Sequence, residues 1–101
     1  MTAESHEDCG PLHSLAPDDP VFASKRVHRG QPVVSVHLDR DGDWQAFSAV
    51  EPRWLMGAPR LIHAAHLIER DPSLAHLPAL PLDHWATRAD PSATTWEVFR
   101  G

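Results

Sequence analysis

Apolar and polar residues alternate along the first half of the chain with the two-residue period of β-strands. Within residues 32–38, Val34, Val36 and Leu38 fall on one face, and we expect that face to meet the core. The opposite face carries His37, which we expect to point outward, where it could meet a carboxylate from a neighbouring strand. This alternation is typical of a half-buried antiparallel strand.

Three strands are predicted in this half of the chain, over residues 21–27, 32–38 and 44–50. Gly30 lies between the first two strands and can adopt the positive φ of a tight turn. The polar segment 39–43 separates the second strand from the third. The pattern therefore predicts a three-stranded antiparallel meander.

A helical period follows over residues 59–70, with Pro59 in the first turn and an apolar stripe that includes Leu61 facing inward. Asp71 precedes Pro72, which ends the helix, and Asp71 is expected to cap a short helical turn over residues 72–76. Two further strands are predicted over residues 84–88 and 95–100.

These elements predict an α+β fold: an antiparallel meander, one main helix packed on the sheet and a C-terminal β-hairpin. Trp44 and Trp96 open predicted strands and are expected in the core or on a sheet face. Residues 1–20 are rich in proline and carboxylates and predict a flexible N-terminal tail, so the single domain is expected over residues 21–101.

The sequence contains neither an apolar run long enough to span a bilayer nor a secretory signal, so we expect a cytoplasmic protein without membrane contact. Cys9 is the only cysteine, which excludes an internal disulfide. The formal net charge of −5 and the dispersed arginines disfavour nucleic-acid binding. An acidic chain instead favours association with a basic protein surface.

Several short motifs resemble a bacterial family of small domains of unknown function. They are the Ala-Ser-Lys-Arg-Val run at 23–27, Gly30, the Pro-Val-Val run at 32–34, the Asp-Gly-Asp-Trp-Gln run at 41–45, Phe47 with Ser48, and the segment 66–74. The similarity extends over residues 21–100. Comparative genomics places some members of that family beside polymorphic toxins as immunity proteins, and the family has no established catalytic residues. The resemblance therefore implies a non-catalytic protein that neutralises a cognate toxin.

The candidate partner-binding site combines the acidic turn with the loop that follows the third strand. The residues that we expect to contact a partner are Asp39, Asp41, Asp43, Arg53, Trp54 and Arg60. A calcium-loop interpretation of the three aspartates fails because Gly42 comes too early and Val50 stands where a bidentate glutamate is required.

No cofactor and no enzymatic activity are expected, since the chain has neither a nucleophile elbow nor a glycine-rich phosphate loop. Two histidine groups leave metal binding as a weaker alternative: His63 with His66, spaced as on one helix face, and His6, Cys9 and His13 in the predicted tail.

A second alternative is an accessory or regulatory module that forms a homodimer by exposing its third or last strand. Measuring molecular size at low and high concentration would distinguish this module from a monomeric immunity protein.

Overall fold

The computed structural model describes residues 11–48 and 59–100. The elements in chain order are β1 (Pro20–Ala23), α1 (Lys25–His28), β2 (Ser35–Leu38), β3 (Trp44–Phe47), β4 (Arg60–His63), α2 (Ala64–Arg70), a 3-10 helix (Pro72–His76), β5 (His84–Thr87) and β6 (Glu97–Arg100). In these two ranges, no helix is long and apolar enough to cross a membrane.

The six strands form one mixed sheet in the order β4-β1-β3-β2-β5-β6. Only the β1–β3 pair is parallel, and the other four pairs are antiparallel. This mostly antiparallel sheet with its helices confirms the α+β class. The β5–β6 pair forms the C-terminal hairpin that the sequence predicts.

The prediction of a three-stranded meander is wrong for its first strand. β2 and β3 pair as a hairpin, but β1 pairs with β3 and β4 instead of with β2. The predicted strand 21–27 stops at Ala23 because the Ser24 hydroxyl accepts a hydrogen bond from the Val27 amide at 3.3 Å and caps α1. The third strand therefore lies inside the sheet and has no free edge, whereas the last strand, β6, lies at an edge.

The predicted helix 59–70 is also wrong in its first part, because Arg60–His63 is strand β4 and the helix begins only at Ala64. Pairing with β1 places Ile62 beside Val21, and the Leu61 side chain, predicted to face inward, is 62% exposed. The helix ends at Arg70 as predicted. Asp71 makes no side-chain cap for the 3-10 helix, because its carboxylate binds Arg88 instead.

One face of the sheet meets α2 and the 3-10 helix, and the core lies between these layers. Its buried apolar side chains include Val36, Leu38, Trp44, Leu67 and Leu74, and the cluster extends to Trp96. Both tryptophans therefore lie in the core, which is one of the two positions that the sequence predicts for them. Burial of these side chains supplies most of the stabilisation, at roughly 25 cal/mol per Å² of apolar surface.

Residues 11–20 belong to the predicted tail, yet they contact the domain. His13 and Leu80 exchange two backbone hydrogen bonds, of 2.8 and 2.9 Å. Leu15 packs against the core, and Asp19 accepts a hydrogen bond from the first amide of α2. The described part of that segment is thus joined to the domain that we predict over residues 21–101.

Candidate protein-binding site

The acidic turn, residues 39–43, connects β2 to β3. Asp39 Oδ1 accepts hydrogen bonds from the backbone amides of Asp41 and Asp43, both at 2.9 Å. The Asp39 amide donates to the Asp43 carbonyl at 3.0 Å, and Gly42 has a φ of 88°, which suits glycine. The Asp39 side chain therefore fixes the loop from within.

The other two carboxylates of the acidic turn have a different role. Asp41 and Asp43 are exposed, whereas Asp39 is only partly so. One carboxylate oxygen from each of the three residues lies within 4.8 Å of the others, which concentrates negative charge at the tip of the hairpin. Of the predicted partner residues, these three are brought together, and Asp41 and Asp43 are the two that present charge to solvent.

A chain of polar contacts connects the acidic turn to β5. Gln45 Nε2 lies 3.5 Å from Asp39 Oδ2, and because a carboxylate can only accept, the Gln45 amide nitrogen faces it. Gln45 Oε1 then faces His37 Nδ1 at 3.2 Å, and because an amide oxygen accepts, this hydrogen bond requires a hydrogen on Nδ1. His37 Nε2 in turn lies 3.7 Å from Asp83 Oδ1.

His37 is buried, at 2% exposure, so the prediction that it points outward is wrong. The Trp85 ring stacks on its imidazole with a centroid separation of 4.4 Å, and Phe47 lies 5.5 Å from the same indole. Aromatic packing therefore covers the middle of the second sheet face. The expected carboxylate contact exists, but it comes from Asp83, immediately before β5.

Asp83 has a φ of 62°, which is uncommon for a residue with a side chain. Its amide donates to the Leu38 carbonyl at 2.7 Å, and its Oδ2 atom lies 3.6 Å from Arg40 Nη2. The left-handed backbone thus turns the chain into β5 and directs a fourth carboxylate toward the acidic turn. Sequence analysis missed this residue because its contacts with His37 and Arg40 span more than forty positions.

Arg60, which we predict to contact a partner together with the acidic turn, is separated from that turn. Arg60 pairs with Ala23, and Ala23 pairs with Ala46, so Arg60 lies at the opposite ends of the strands from the turn that precedes Trp44. Arg53 and Trp54 lie outside the described residues. The structure therefore joins the three aspartates but does not join Arg60 to them.

Arg60 belongs instead to a basic end of the molecule. Arg60 pairs with Ala23, and the next residue, Ser24, caps α1. Arg70 Nη2 donates a hydrogen bond to the Val27 carbonyl of α1 at 2.7 Å. Since α1 contacts β4, the cations that lie at this end are Lys25, Arg26, Arg29, Arg60 and Arg70. Arginines that are dispersed in the sequence are therefore brought together by the topology, and the run at 25–29 was the local signal for this cluster.

The two histidine groups considered for metal binding differ in geometry from the sequence prediction. His63 ends β4 and precedes α2, so it does not share a helix with His66, and their ring centroids are 6.3 Å apart. The His13 backbone pairs with Leu80, while His6 and Cys9 lie outside the described ranges. In the part of the chain that the structure describes, the three aspartates of the acidic turn are the group close enough to share an ion.

Comparison of the chain with protein-family models, with curated proteins and with solved structures finds no match. The resemblance in the sequence motifs therefore stays a prediction. The functional argument depends on the geometry of the chain itself.

Proposed function

We propose that this chain is a non-catalytic protein-binding domain that presents its acidic turn to a basic surface of another protein. The observation that supports the proposal most directly is the division of roles within the turn. Asp39 binds the backbone amides of the loop, while Asp41 and Asp43 remain exposed. A loop fixed in this way loses little conformational entropy when it binds.

Charge supplies the selectivity in this proposal. The net charge of −5 and the clustered carboxylates favour approach of a cationic surface and accelerate the encounter, an effect that weakens as salt screens it. The basic end of the molecule lies at the opposite strand ends, so it does not neutralise the turn. The domain is therefore polarised, and a partner with a basic surface is directed to one end of it.

We further propose that the partner is a toxin and that binding neutralises it. This step is supported by the similarity of the motifs at 23–27, 41–45 and 66–74 to a bacterial family in which some members are placed as immunity proteins. An immunity protein needs a stable surface that blocks its partner and requires no catalytic group, which agrees with the fixed acidic turn.

The test is affinity capture with three baits, from a lysate of the cells that carry the gene. The baits are the unchanged chain, the double variant Asp41→Lys/Asp43→Lys and the single variant Glu69→Lys, a charge reversal at an exposed position of α2. The proposal expects a stoichiometric partner on the unchanged chain and on Glu69→Lys but not on the double variant. Equal capture by all three baits would exclude the acidic turn as the binding surface.

A separate growth assay tests whether the captured partner is a toxin that this chain neutralises. The captured partner is expressed in a test bacterium with or without each variant, and growth is followed. The unchanged chain and Glu69→Lys are expected to protect the cells, and the double variant is expected to fail. A partner that does not impair growth would refute the immunity role and leave protein binding standing.

A further inference from the structure

Among the described residues the sheet has two edges, β4 and β6, and each has one side along which no described strand pairs with its backbone hydrogen-bonding groups. All four residues of β6 are exposed, and they include two large apolar side chains, Val98 at 46% and Phe99 at 48%. Between Glu97 and Arg100, β6 contains no proline or glycine that would block strand addition. β6 is therefore an edge with both the hydrogen bonds and the apolar contacts that another strand needs.

Charge distinguishes the two edges. Glu97 and Arg100 carry opposite charges at the two ends of β6, whereas β4 has Arg60 and His63 at its ends and no acid. When identical strands pair antiparallel, the first end of one strand approaches the last end of the other. Self-pairing of β6 thus brings unlike charges to the same end of the interface, while self-pairing of β4 brings Arg60 to the end that holds His63, with no acid to attract it.

The aromatic side chains of the β5–β6 hairpin provide a second reason. Trp85 pairs directly with Phe99, and the two rings are nearly parallel, with centroids 6.4 Å apart. Residues opposite each other in neighbouring strands share a sheet face. A second Phe99 placed opposite the first would extend this two-ring stack across the edge into a row of four aromatic rings.

We infer that β6 is a dimerisation edge, which pairs antiparallel with β6 of a second copy of this chain about a two-fold axis perpendicular to the sheet. In the arrangement centred on Phe99, each Val98 lies opposite Arg100 of the second copy. Each Glu97 then lies one position along the strand from that arginine, about 3.3 Å along the strand axis. Their side chains leave opposite faces of the sheet, so the attraction acts over distance and favours the antiparallel direction.

The contact is short, so the dimer is expected to be reversible, with dissociation in the micromolar range or weaker. It uses a different element from the proposed partner site, because β5 lies between β6 and β2, the strand that leads into the acidic turn. The inference is thus independent of the proposed function.

The test is sedimentation of the full chain from low micromolar to near-millimolar concentration. The mass of the unchanged chain is expected to rise above the 11.2 kDa of the monomer toward twice that value. Phe99→Lys should weaken association at least about tenfold. Leu61→Lys, which places the same charge on the exposed apolar residue of the β4 edge, should leave association unchanged. A monomer at every concentration, or loss of the dimer in Leu61→Lys alone, would overturn the inference.

A charge-exchange experiment distinguishes a specific loss of dimerisation from misfolding of a variant. Glu97→Arg gives a β6 with two cations, and Arg100→Glu gives one with two acids, so each variant alone should self-associate less than the unchanged chain. An equimolar mixture of the two should form a heterodimer, because the strand ends again carry unlike charges. If the mixture stays monomeric while the unchanged chain dimerises, the β6 pairing is excluded.

Discussion

Arg88 Nη2 donates a hydrogen bond to Asp71 Oδ2 at 2.6 Å, and the arginine side chain is completely buried while the aspartate is partly exposed. All five guanidinium N–H groups find acceptors. Two of them meet the Val33 carbonyl, and the remaining two meet Ser73 Oγ and the Ala93 carbonyl. One side chain thereby connects the segment before β2, the 3-10 helix and the loop before β6.

Removing this guanidinium should strongly destabilise the domain. Arg88→Met leaves the Val33 carbonyl and Asp71 Oδ2 without the guanidinium donors, and we expect a loss of about 3–5 kcal/mol. Arg88→Lys retains the charge but not the planar fork, so we expect a smaller loss of roughly 1–3 kcal/mol. Urea unfolding of the three proteins measures both differences.

The matched control is Arg40→Met, the same substitution in an exposed ion pair. Arg40 is 83% exposed and lies 3.6 Å from Asp83, so solvent screens the pair and the expected change is below about 1 kcal/mol. Equal destabilisation by Arg40→Met and Arg88→Met would contradict the importance of burial and full hydrogen bonding.

The acidic turn allows a prediction about stability that is separate from binding. Asp39→Ala removes the acceptor of two backbone amides and should cost about 0.5–2 kcal/mol, as loss of a comparable helix cap does. Asp41→Ala removes an exposed carboxylate and should change stability by less than about 0.5 kcal/mol. Thermal unfolding of both variants checks the division of roles, and a larger effect for Asp41→Ala would reverse it.

The hydrogen bond from the Ser92 hydroxyl and that from the Ser92 amide lower the pKa of Asp90 below its ordinary value of 3.8. A lowered pKa in the folded state stabilises the fold above pH 3.8, and this contribution is lost as the pH falls through the lowered value. Ser92→Ala should therefore move the Asp90 pKa upward, as measured by an NMR titration of the carboxyl carbon. An unchanged pKa would show that the hydroxyl is not the main cause.

The parts of the fold that could be predicted are those fixed by neighbouring residues. The β2–β3 hairpin follows from alternation on both sides of the polar turn, and the end of α2 follows from the proline after Asp71. The position of β1 could not be predicted, because a strand pattern does not specify which strand is its neighbour. The segment 60–63 fits both a helix and a strand period, and its pairing with β1 decides between them.

The same distinction applies to the candidate site. Asp39, Asp41 and Asp43 lie in one short turn, so their proximity could be read from the sequence. The association of Arg60 with α1 depends on the register of β4, and the burial of His37 depends on Trp85, which is distant in sequence but lies in the neighbouring strand. Contacts between such distant positions arise only from the sheet topology.

Leu80 and Leu82 provide a final comparison, since they lie two residues apart in the same segment. Leu80 is fully buried and its backbone pairs with His13, whereas the Leu82 side chain is exposed. Leu80→Ala should leave a cavity and cost about 2–5 kcal/mol, while Leu82→Ala should cost less than about 1 kcal/mol. In a domain of this size each kcal/mol lowers Tm by roughly 4–8 °C, so calorimetry separates the two variants clearly. Similar melting temperatures would mean that the segment around Leu80 does not close the core.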